Sequence, residues 1–185
     1  MILRAAVPSD VPALVELIEE LAAYEREPDA VEVDAAMLSD ALFAEAPVVF
    51  ATVADDGGAV VGTAIHFRNF STWTGRVGIY LEDLYVRPGH RGRGIGRALL
   101  AHLAQTARDR GYARVDWSVL DWNEPALAFY RSIGARPMTG WTGYRLDGDA
   151  LAVLAQEGQG VTGVPADGAG RGGVPEGGGG GGLRS

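Results

Sequence analysis

Residues 91–96 read Arg-Gly-Arg-Gly-Ile-Gly and lie between a predicted strand and a predicted helix. Glycine lets backbone N–H groups approach a ligand closely, and the first turn of a helix adds unpaired N–H groups and a partial positive charge. Residues 84–108 contain no acidic residue but five arginines, at positions 87, 91, 93, 97 and 108. The segment therefore predicts a site for an anionic diphosphate, with a plain glycine-rich turn as the alternative.

The spacing of this segment differs from two common phosphate-binding motifs. Arg97 stands where the third glycine of the dinucleotide motif G-x-G-x-x-G would fall. All 16 basic residues of the chain are arginines, so a Walker phosphate loop, which needs a lysine, is excluded. The lack of lysine also excludes a Schiff base or any other catalytic lysine.

Two adjacent carboxylates, Glu82 and Asp83, interrupt the strand predicted just before this loop. Aliphatic residues occupy odd positions ahead of the pair and even positions after it: Val77, Ile79 and Leu81, then Leu84 and Val86. Because the side chains of a strand alternate between two faces, this change of phase predicts one extra residue, a β-bulge, beside the carboxylates. A strand that is apolar on both faces, with Tyr80 and Tyr85 filling the other phase, is the alternative.

Composition excludes several classes of function. The 185 residues carry 16 basic and 24 acidic side chains, a net charge of −8 that argues against general nucleic-acid binding. There is no cysteine, which rules out disulfides, thiolate catalysis and cysteine-ligated zinc. His66, His90 and His102 do not have the spacing of metal ligands, so no metal is expected. With neither a signal peptide nor an apolar membrane span in the sequence, we expect a cytoplasmic protein without a membrane partner.

The pattern of apolar residues and caps predicts alternating helices and strands around the loop. Helices are expected over residues 10–25, 34–44, 94–110, 123–133 and 147–156, and strands over residues 2–6, 47–54, 59–70, 76–86, 115–119 and 136–146. Asp-Asp-Gly-Gly at residues 55–58 predicts a hairpin. Ser9 and Asp10 are expected to cap the first helix, and Met37 to face inward from the second. The order β-α-α-β-β-β-α-β-α-β is typical of an α/β fold with a mixed sheet.

Composition changes sharply after Glu157. Residues 158–185 hold 13 of the 27 glycines and almost no large apolar side chain. Such a segment cannot offset its ordering entropy by burying apolar surface. We therefore expect one domain over residues 1–157 and a flexible glycine-rich C-terminal tail over residues 158–185.

Several motifs together resemble the GNAT superfamily of N-acetyltransferases. The loop at residues 91–96 is similar to the R/Q-x-x-G-x-G/A segment that binds the pyrophosphate of acetyl-CoA in that superfamily, and the family binds the pantetheine arm along the bulged strand ahead of it. The segments that resemble the diamine (spermidine/spermine) and thialysine acetyltransferase branch are residues 21–25, 80–86, 122–125 and 129–130. The likeness extends from residue 3 to residue 146 and implies a GNAT fold with acetyl-CoA as co-substrate.

Carried over residue by residue, the resemblance implies a role for most of these side chains. Tyr130, by pattern alone a core aromatic, matches the general acid that protonates the departing thiolate, and Glu82 matches the carboxylate that accepts the amine proton through water. The implied cofactor-binding residues are Leu84 and Val86 for pantetheine, Asn123 for the cofactor arm, and Arg91, Gly92, Arg93, Gly94, Ile95, Gly96 and Arg97 for the pyrophosphate. The implied substrate-binding residues are Tyr24, Glu25, Trp73, Glu82 and Asp83.

The implied reaction transfers an acetyl group from acetyl-CoA to a primary amine of a small cationic substrate, by direct attack in a ternary complex. An alkyl amine with a pKa of about 10.4 must lose a proton before it attacks, so a base and an acid on opposite sides are useful. Diamine enzymes carry acidic residues where this chain has Trp-Thr-Gly-Tyr-Arg at residues 141–145. A thialysine-like amino acid or a small diamine is therefore as well supported as a polyamine. The branch also implies a homodimer.

Two other functions fit the same residues. One is an enzyme of this fold that acetylates a protein N-terminus or another macromolecular amine. The other is a catalytically silent acyl-CoA-binding module that regulates a partner. Turnover of acetyl-CoA with a panel of amines distinguishes all three.

Overall fold

The computed structural model describes residues 1–158, which fall into two compact units, Met1–Arg136 and the part of Pro137–Ser185 up to residue 158. The strands are Ile2–Ala5 (β1), Phe50–Asp56 (β2), Ala59–Ser71 (β3), Arg76–Val86 (β4) and Val115–Trp117 (β5). The helices are Val11–Tyr24 (α1), Ala35–Phe43 (α2), Ile95–Asp109 (α3), Glu124–Ser132 (α4) and Gly148–Gly158 (α5). Every element except α5 belongs to the first unit.

The strands of the first unit form one mixed sheet in the order β1-β2-β3-β4-β5. The pairs β1–β2, β2–β3 and β3–β4 are antiparallel, and β5 runs parallel to β4. One apolar cluster packs α1 and α2 against the sheet, and a second cluster packs α3 and α4 against it. Val53 and Ala54, consecutive in β2, belong to different clusters, so the two helix pairs lie on opposite faces. The predicted α/β class with a mixed sheet is confirmed.

Local signals predicted most element boundaries in the first unit. Gly57 and Gly58 have φ values of 71° and 94°, as a tight turn between β2 and β3 requires. The Asn123 side chain caps α4 by accepting an N–H of its first turn at 3.3 Å. The inward orientation predicted for Met37 is wrong, because Met37 is 59% exposed and only Leu38 and Leu42 of α2 are buried. Leu38 and Leu42, at i and i+4, form the buried stripe of this short helix, and the partly buried Phe43 packs against the same cluster.

Asp10 differs from its predicted role as a helix cap. Helix α1 begins at Val11, after a single 3-10 turn, and the Asp10 side chain makes no capping hydrogen bond to it. Its carboxylate instead accepts two hydrogen bonds from the Arg4 guanidinium, at 2.6 and 2.9 Å, and one from the Val7 N–H at 2.8 Å. Arg4 also donates to Asp55 at 3.0 Å. The hydrogen bonds from Arg4 lower the pKa of Asp10, and the cluster ties β1 to α1 and β2.

We expect Asp10→Asn to lower the free energy of unfolding by about 1.5–3 kcal/mol, the usual contribution of hydrogen bonds to charged groups. Because the folded-state pKa of Asp10 is lowered from 3.8, its contribution is present above about pH 4 and is lost as the pH falls through the folded-state pKa. Urea unfolding at neutral and acidic pH measures this difference. Asp29→Asn, at an exposed position, is the control and should stay within about 0.5 kcal/mol of wild type. Equal stability of Asp10→Asn and wild type at pH 7 would contradict the expectation.

The second unit contains α5 and an irregular segment before it. Helix α5 lies close to the predicted helix at residues 147–156. The strand predicted over residues 136–146 is wrong, because these residues form turns and irregular backbone. Met138, Trp141 and Tyr144 are spaced by three, so a strand would direct them alternately to opposite faces. Gly140 adds a left-handed φ of 89°, which a regular strand does not accommodate.

The glycine-rich tail predicted over residues 158–185 lies outside the described residues, apart from Gly158 at the end of α5. The proposed division of the chain at residue 157 therefore stays a prediction. Over residues 1–158, no helix combines the length and the apolar character that crossing a membrane requires.

Candidate active site

The structure contains the bulge predicted in β4. Neighbouring residues of β3 pair with Leu81 and Asp83, which leaves Glu82 as the extra residue. The change of phase follows from it, because Leu81 packs in the α3 cluster before the bulge and Leu84 packs there after it. Tyr85 points to the opposite face, into the α1 cluster. The bulge therefore redirects the side chains on either side of the two carboxylates.

The pairing of β4 with β5 ends at the bulge. The parallel ladder covers only residues 79–81 of β4, opposite Val115–Trp117. Beyond the bulge, the Arg87 N–H donates to the Val61 carbonyl of β3 at 3.0 Å, so the alternation of an antiparallel ladder directs the backbone groups of Val86 and Leu84 away from β3. We call residues 82–86 the open edge of β4. An extended ligand can hydrogen-bond there.

Residues 91–96, the glycine loop, connect this edge to α3. Gly92 and Gly94 have φ values of 74° and 80°, in the left-handed region that favours glycine. Gly94 directly precedes α3, so the N–H groups of the first helical turn have no helical partners. Apart from the adjoining backbone, a Cβ at Gly92, Gly94 or Gly96 would meet no atom of residues 1–158 within 4 Å. This open space at a helix N-terminus fits a diphosphate, with Arg97 exposed beside it, whereas the Ile95 side chain is buried in the core.

The Arg91 side chain bridges the open edge and α1. Its Nε donates to the Val86 carbonyl at 2.8 Å. Its guanidinium carbon lies 5.0 Å from the ring centre of Tyr24 and 5.2 Å from that of Tyr85. These cation–π contacts hold Arg91 between two aromatic side chains, a position that the sequence did not indicate. Contact with a phosphate, as predicted for Arg91, competes with its bond to the open edge.

Two further arginines of the basic segment form ion pairs within the protein. Arg93 lies 3.2 Å from the Asp56 carboxylate. Arg87 lies 2.6 Å from the Glu16 carboxylate and 3.0 Å from that of Glu20, both on α1. Arg87, which directly follows β4, therefore neutralises part of the acidic charge of α1. Backbone N–H groups become more important for holding a diphosphate than the arginine count predicts.

Asp83 is the carboxyl group at the bulge with the more altered environment. Burial, followed by the charges of Glu82 and Glu25, raises the pKa of Asp83 to about 6. Glu82, the extra residue, is exposed. Burial also raises the pKa of Glu25, which follows α1. A carboxyl group with a pKa near 6 is largely ionised at pH 7 and holds a proton better than an ordinary carboxylate, which suits a proton acceptor.

Tyr130 of α4 lies within electrostatic range of the same groups. Its ring centre is 5.0 Å from that of Trp117 and 5.4 Å from that of Phe129, so the ring packs as the pattern predicted. Burial raises the pKa of Tyr130, and the charge of Glu25 raises it further. Glu25 acts on the pKa of both Asp83 and Tyr130. The fold thus brings together titratable groups from α1, β4 and α4.

Helices α1 and α4 meet through a hydrogen bond between Tyr24 and Asn123. The Tyr24 hydroxyl donates to Asn123 Oδ1 at 3.0 Å, the same oxygen that caps α4. The ring centres of Tyr24 and Trp122 lie 6.2 Å apart, and the Arg26 guanidinium lies 4.4 Å from the Trp122 ring centre. Arg26 has a φ of 69°, unusual for a residue other than glycine. Sequence reasoning missed Arg26 and Trp122, although Trp122 belongs to a motif that it had identified.

Trp73 does not join the other candidate substrate-binding residues. It lies in the turn between β3 and β4 and is 86% exposed. The hairpin closes at the pairing of Ser71 with Arg76, and six residues of strand separate Arg76 from Glu82, a distance of about 20 Å. A contact between Trp73 and a substrate held at the bulge stays a prediction.

The gathered groups can hold an extended phosphate-bearing ligand and move protons on either side of it. The glycine loop provides backbone donors, the open edge of β4 provides a strand-like partner, and Asp83 and Tyr130 provide a proton acceptor and a proton donor. Within residues 1–158, no cluster of three or more histidine, aspartate or glutamate side chains could hold a metal ion.

Known proteins resemble the part of the chain that contains this candidate site. The acetyltransferase (GNAT) family matches residues 13–135. Thialysine N-epsilon-acetyltransferase of Sus scrofa is 37% identical over 166 residues, which cover 84% of this chain and 97% of that protein. Spermidine/spermine N(1)-acetyltransferase-like protein 1 of Homo sapiens is 33% identical and matches 84% of this chain and 24% of that protein. An integron cassette protein from the mobile metagenome of V. cholerae superposes with a TM-score of 0.71 at 30% identity, over 84% of this chain and 97% of that one.

Proposed function

The chain belongs to the GNAT family and is an N-acetyltransferase, and from this premise we propose that it transfers the acetyl group of acetyl-CoA to a primary amine of a small cationic substrate. The transfer is direct, with both substrates bound in a ternary complex. The observation that carries the proposal is the bulge at Glu82, which ends the pairing with β5 and leaves Asp83 at an open strand edge beside the glycine loop.

We propose that acetyl-CoA binds along the open edge of β4 and over the glycine loop. The backbone groups of Leu84 and Val86 hold the pantetheine arm, and the Asn123 side-chain N–H groups donate to it. The pyrophosphate lies against the N–H groups at the start of α3, in the space above the glycines. The residues of this proposed phosphate site are Arg91, Gly92, Arg93, Gly94, Ile95, Gly96 and Arg97. Arg91 and Arg93 take part when they exchange their present contacts for phosphate oxygens.

The proposed chemistry needs one proton acceptor and one proton donor from the chain. Acetyl-CoA supplies the thioester when bound. Asp83 accepts a proton from the bound ammonium group, and the neutral nitrogen then attacks the thioester carbonyl carbon. As the C–N bond forms and the C–S bond breaks, the Tyr130 hydroxyl donates its proton to the sulfur, and the remaining excess proton on the nitrogen returns to the Tyr130 oxygen, which leaves a neutral amide, the coenzyme A thiol and a neutral tyrosine. The carboxylate of Glu82, predicted as the base, attracts the ammonium group in this scheme because Glu82 is exposed, whereas burial raises the pKa of Asp83 to about 6.

The proposed substrate is a short cationic amine. Glu25, Glu82 and Asp83 surround the bulge with carboxyl groups, which favour an ammonium group over a neutral or anionic acceptor. The similar proteins are named for thialysine and for spermidine/spermine. Since residues 141–145 carry no carboxylate to hold a second distant ammonium group, we propose a thialysine-like amino acid or a small diamine.

The function is tested by release of coenzyme A thiol from acetyl-CoA in the presence of single amines. The panel contains thialysine, lysine, a short diamine, spermidine and a peptide whose only amine is its N-terminus. Turnover with a short amine supports the proposal. If the peptide is the only member of the panel that is acetylated, the natural substrate is a macromolecular amine. If acetyl-CoA binds but no amine is acetylated, the protein is a silent binding module.

We expect Asp83→Asn to lower kcat/KM by about 10- to 100-fold at pH 7, since it removes the proton acceptor while water still takes some protons. The pKa of Asp83, raised to about 6, implies a rate that rises as the pH passes through about 6 and the carboxyl group loses its proton. This limb of the kcat/KM profile should disappear in Asp83→Asn. Glu82→Gln is the matched control, one residue away, and should weaken amine binding without removing the limb. The reverse pattern would return the role of base to Glu82.

Asp83→Asn, which should lower activity, should raise the stability of the fold. A carboxyl group whose folded-state pKa lies above its unfolded value of 3.8 destabilises the fold once it ionises, and this destabilisation is complete above about pH 6. We expect Asp83→Asn to raise the free energy of unfolding by about 3 kcal/mol at pH 7, the equivalent of a pKa shift of about two units, and to leave it unchanged near pH 3. A variant that is more stable and less active cannot owe its low activity to misfolding.

The homodimer implied by the resemblance and the cytoplasmic location expected from the sequence stay predictions.

A further inference from the structure

A cavity of about 200 Å³ lies between the second half of α3 and the face of the sheet that α3 covers. Its polar lining comes from β3, α3 and the turn after α3: His66, Arg68, His102, Thr106, Arg110 and Tyr112. The glycine loop lies at the other end of α3, about 20 Å away at the usual rise of a helix. The cavity is therefore separate from the glycine loop, although its His66 lies opposite Leu81, next to the bulge.

The ionisable side chains that line this cavity are basic types. Among residues 1–158 they are two arginines and two histidines, with no acidic residue, although the chain has a net charge of −8. Asp109, the acidic residue beside Arg110, accepts a hydrogen bond from Gln105 and is not part of the lining. Because like charges around one cavity repel, a bound anion would stabilise the arrangement.

His66 is the most buried of these basic groups. Its Nδ1 atom is buried and has no hydrogen-bond partner within residues 1–158. Burial lowers the pKa of His66, the Ala64 backbone opposes this, and the charges of His102 and Arg110 lower it further. Arg68 lines the cavity from the same strand, and Tyr112 lines it from the turn after α3. The half-buried His66 imidazole, close to the Ala64 backbone, thus lies among basic side chains from three segments.

We propose that this cavity binds a small oxyanion, the phosphate or carboxylate group of a metabolite, through His66, His102 and Arg110. Imidazolium and guanidinium N–H groups donate charge-assisted hydrogen bonds to such oxygens. His102 and Arg110 stand eight residues apart on the sequence, two steps of four along α3 with Thr106 between them, so they present donors from one side of the helix. The space exceeds a single phosphate group and admits a phosphate monoester or a dicarboxylate.

The test uses NMR titration of the imidazole groups in the full chain, which has three histidines. Inorganic phosphate is added with and without coenzyme A, against sodium chloride at matched ionic strength. Bound anion should raise the pKa of His66 and His102 by about one unit and leave that of His90, in the turn before the glycine loop, unchanged. Equal shifts of all three histidines, or no shift, would overturn the proposal.

Two more ligands distinguish the source of the oxyanion. Glycerol 3-phosphate and malonate are titrated in the same way as phosphate. Shifts with both indicate a general oxyanion site, shifts with the phosphate compounds alone indicate a phosphate site, and shifts with malonate alone indicate a carboxylate site. Each result supports the proposal and narrows its ligand.

Arg110→Gln and Arg108→Gln form a matched pair. Both remove one positive charge near the end of α3, but only Arg110 lines the cavity. We expect Arg110→Gln to weaken anion binding about tenfold or more, and Arg108→Gln to change it little. Equal weakening in the two variants would show that the anion responds only to the general charge of the helix, and would overturn the site.

Discussion

Tyr130→Phe should lower turnover by about 10²- to 10⁴-fold, the usual scale for losing a general acid. The substitution removes only the hydroxyl group. The ring keeps its packing against Trp117 and Phe129, so the melting temperature and the affinity for acetyl-CoA should be unchanged. Steady-state kinetics with the best amine of the panel, together with calorimetric titration of acetyl-CoA, measures both quantities.

The control for this substitution is Tyr112→Phe, which removes a hydroxyl group from the turn after α3, away from the proposed acetyl-transfer site. It should leave turnover within about twofold of wild type, as expected for a residue outside the reacting groups. Full activity of Tyr130→Phe would show that Tyr130 has only a packing role. The thiolate would then depart without receiving a proton from Tyr130.

Burial and the charge of Glu25 raise the pKa of Tyr130, so its hydroxyl group keeps its proton throughout the neutral range. Any loss of activity caused by ionisation of Tyr130 should therefore begin above pH 10, the ordinary value for tyrosine. This alkaline limb should be missing from the residual activity of Tyr130→Phe. An alkaline limb that persists unchanged in the variant would belong to another group.

The second large effect is expected at the glycine loop. Gly94→Val should weaken acetyl-CoA binding by about 10²- to 10³-fold, because the side chain fills the space above the helix N-terminus and blocks hydrogen bonds from the backbone to charged phosphate oxygens. Apart from the adjoining backbone, no atom of the described part of the chain lies within 4 Å of the new Cβ, so the Cβ itself has room. Its φ of 80° imposes strain of about 1–2 kcal/mol on a β-branched residue.

Gly75→Val separates strain from ligand binding. Gly75 has a φ of 64° and equally open space, but it lies in the turn between β3 and β4. Both variants should lose similar stability in thermal unfolding, and only Gly94→Val should lose affinity in calorimetry. If Gly94→Val bound acetyl-CoA as tightly as Gly75→Val does, the diphosphate would not lie over this loop.

The features of the site that depend on a local pattern of residues could be predicted from the sequence. The change of phase between Leu81 and Leu84 identified the bulge, because a strand has a fixed period of two and an extra residue must shift it. The glycine loop, its position before α3 and the Asn123 cap were likewise readable, since left-handed φ values and helix ends restrict residue type over a few positions. These features also carry the resemblance to the acetyltransferase family.

Which side chains come to share an environment could not be predicted in this way, because it depends on how distant segments pack. The resemblance implies that Glu82 is the base, yet the fold leaves Glu82 exposed and half-buries Asp83, and this burial, with the charges of Glu82 and Glu25, raises the pKa of Asp83 to about 6. The position of Arg91 was likewise not predictable. The sequence predicts Arg91 as a phosphate ligand, and in the structure its guanidinium lies between the rings of Tyr24 and Tyr85. Burial and electrostatic contacts arise between segments distant along the chain, and a local pattern carries no information about which segments meet.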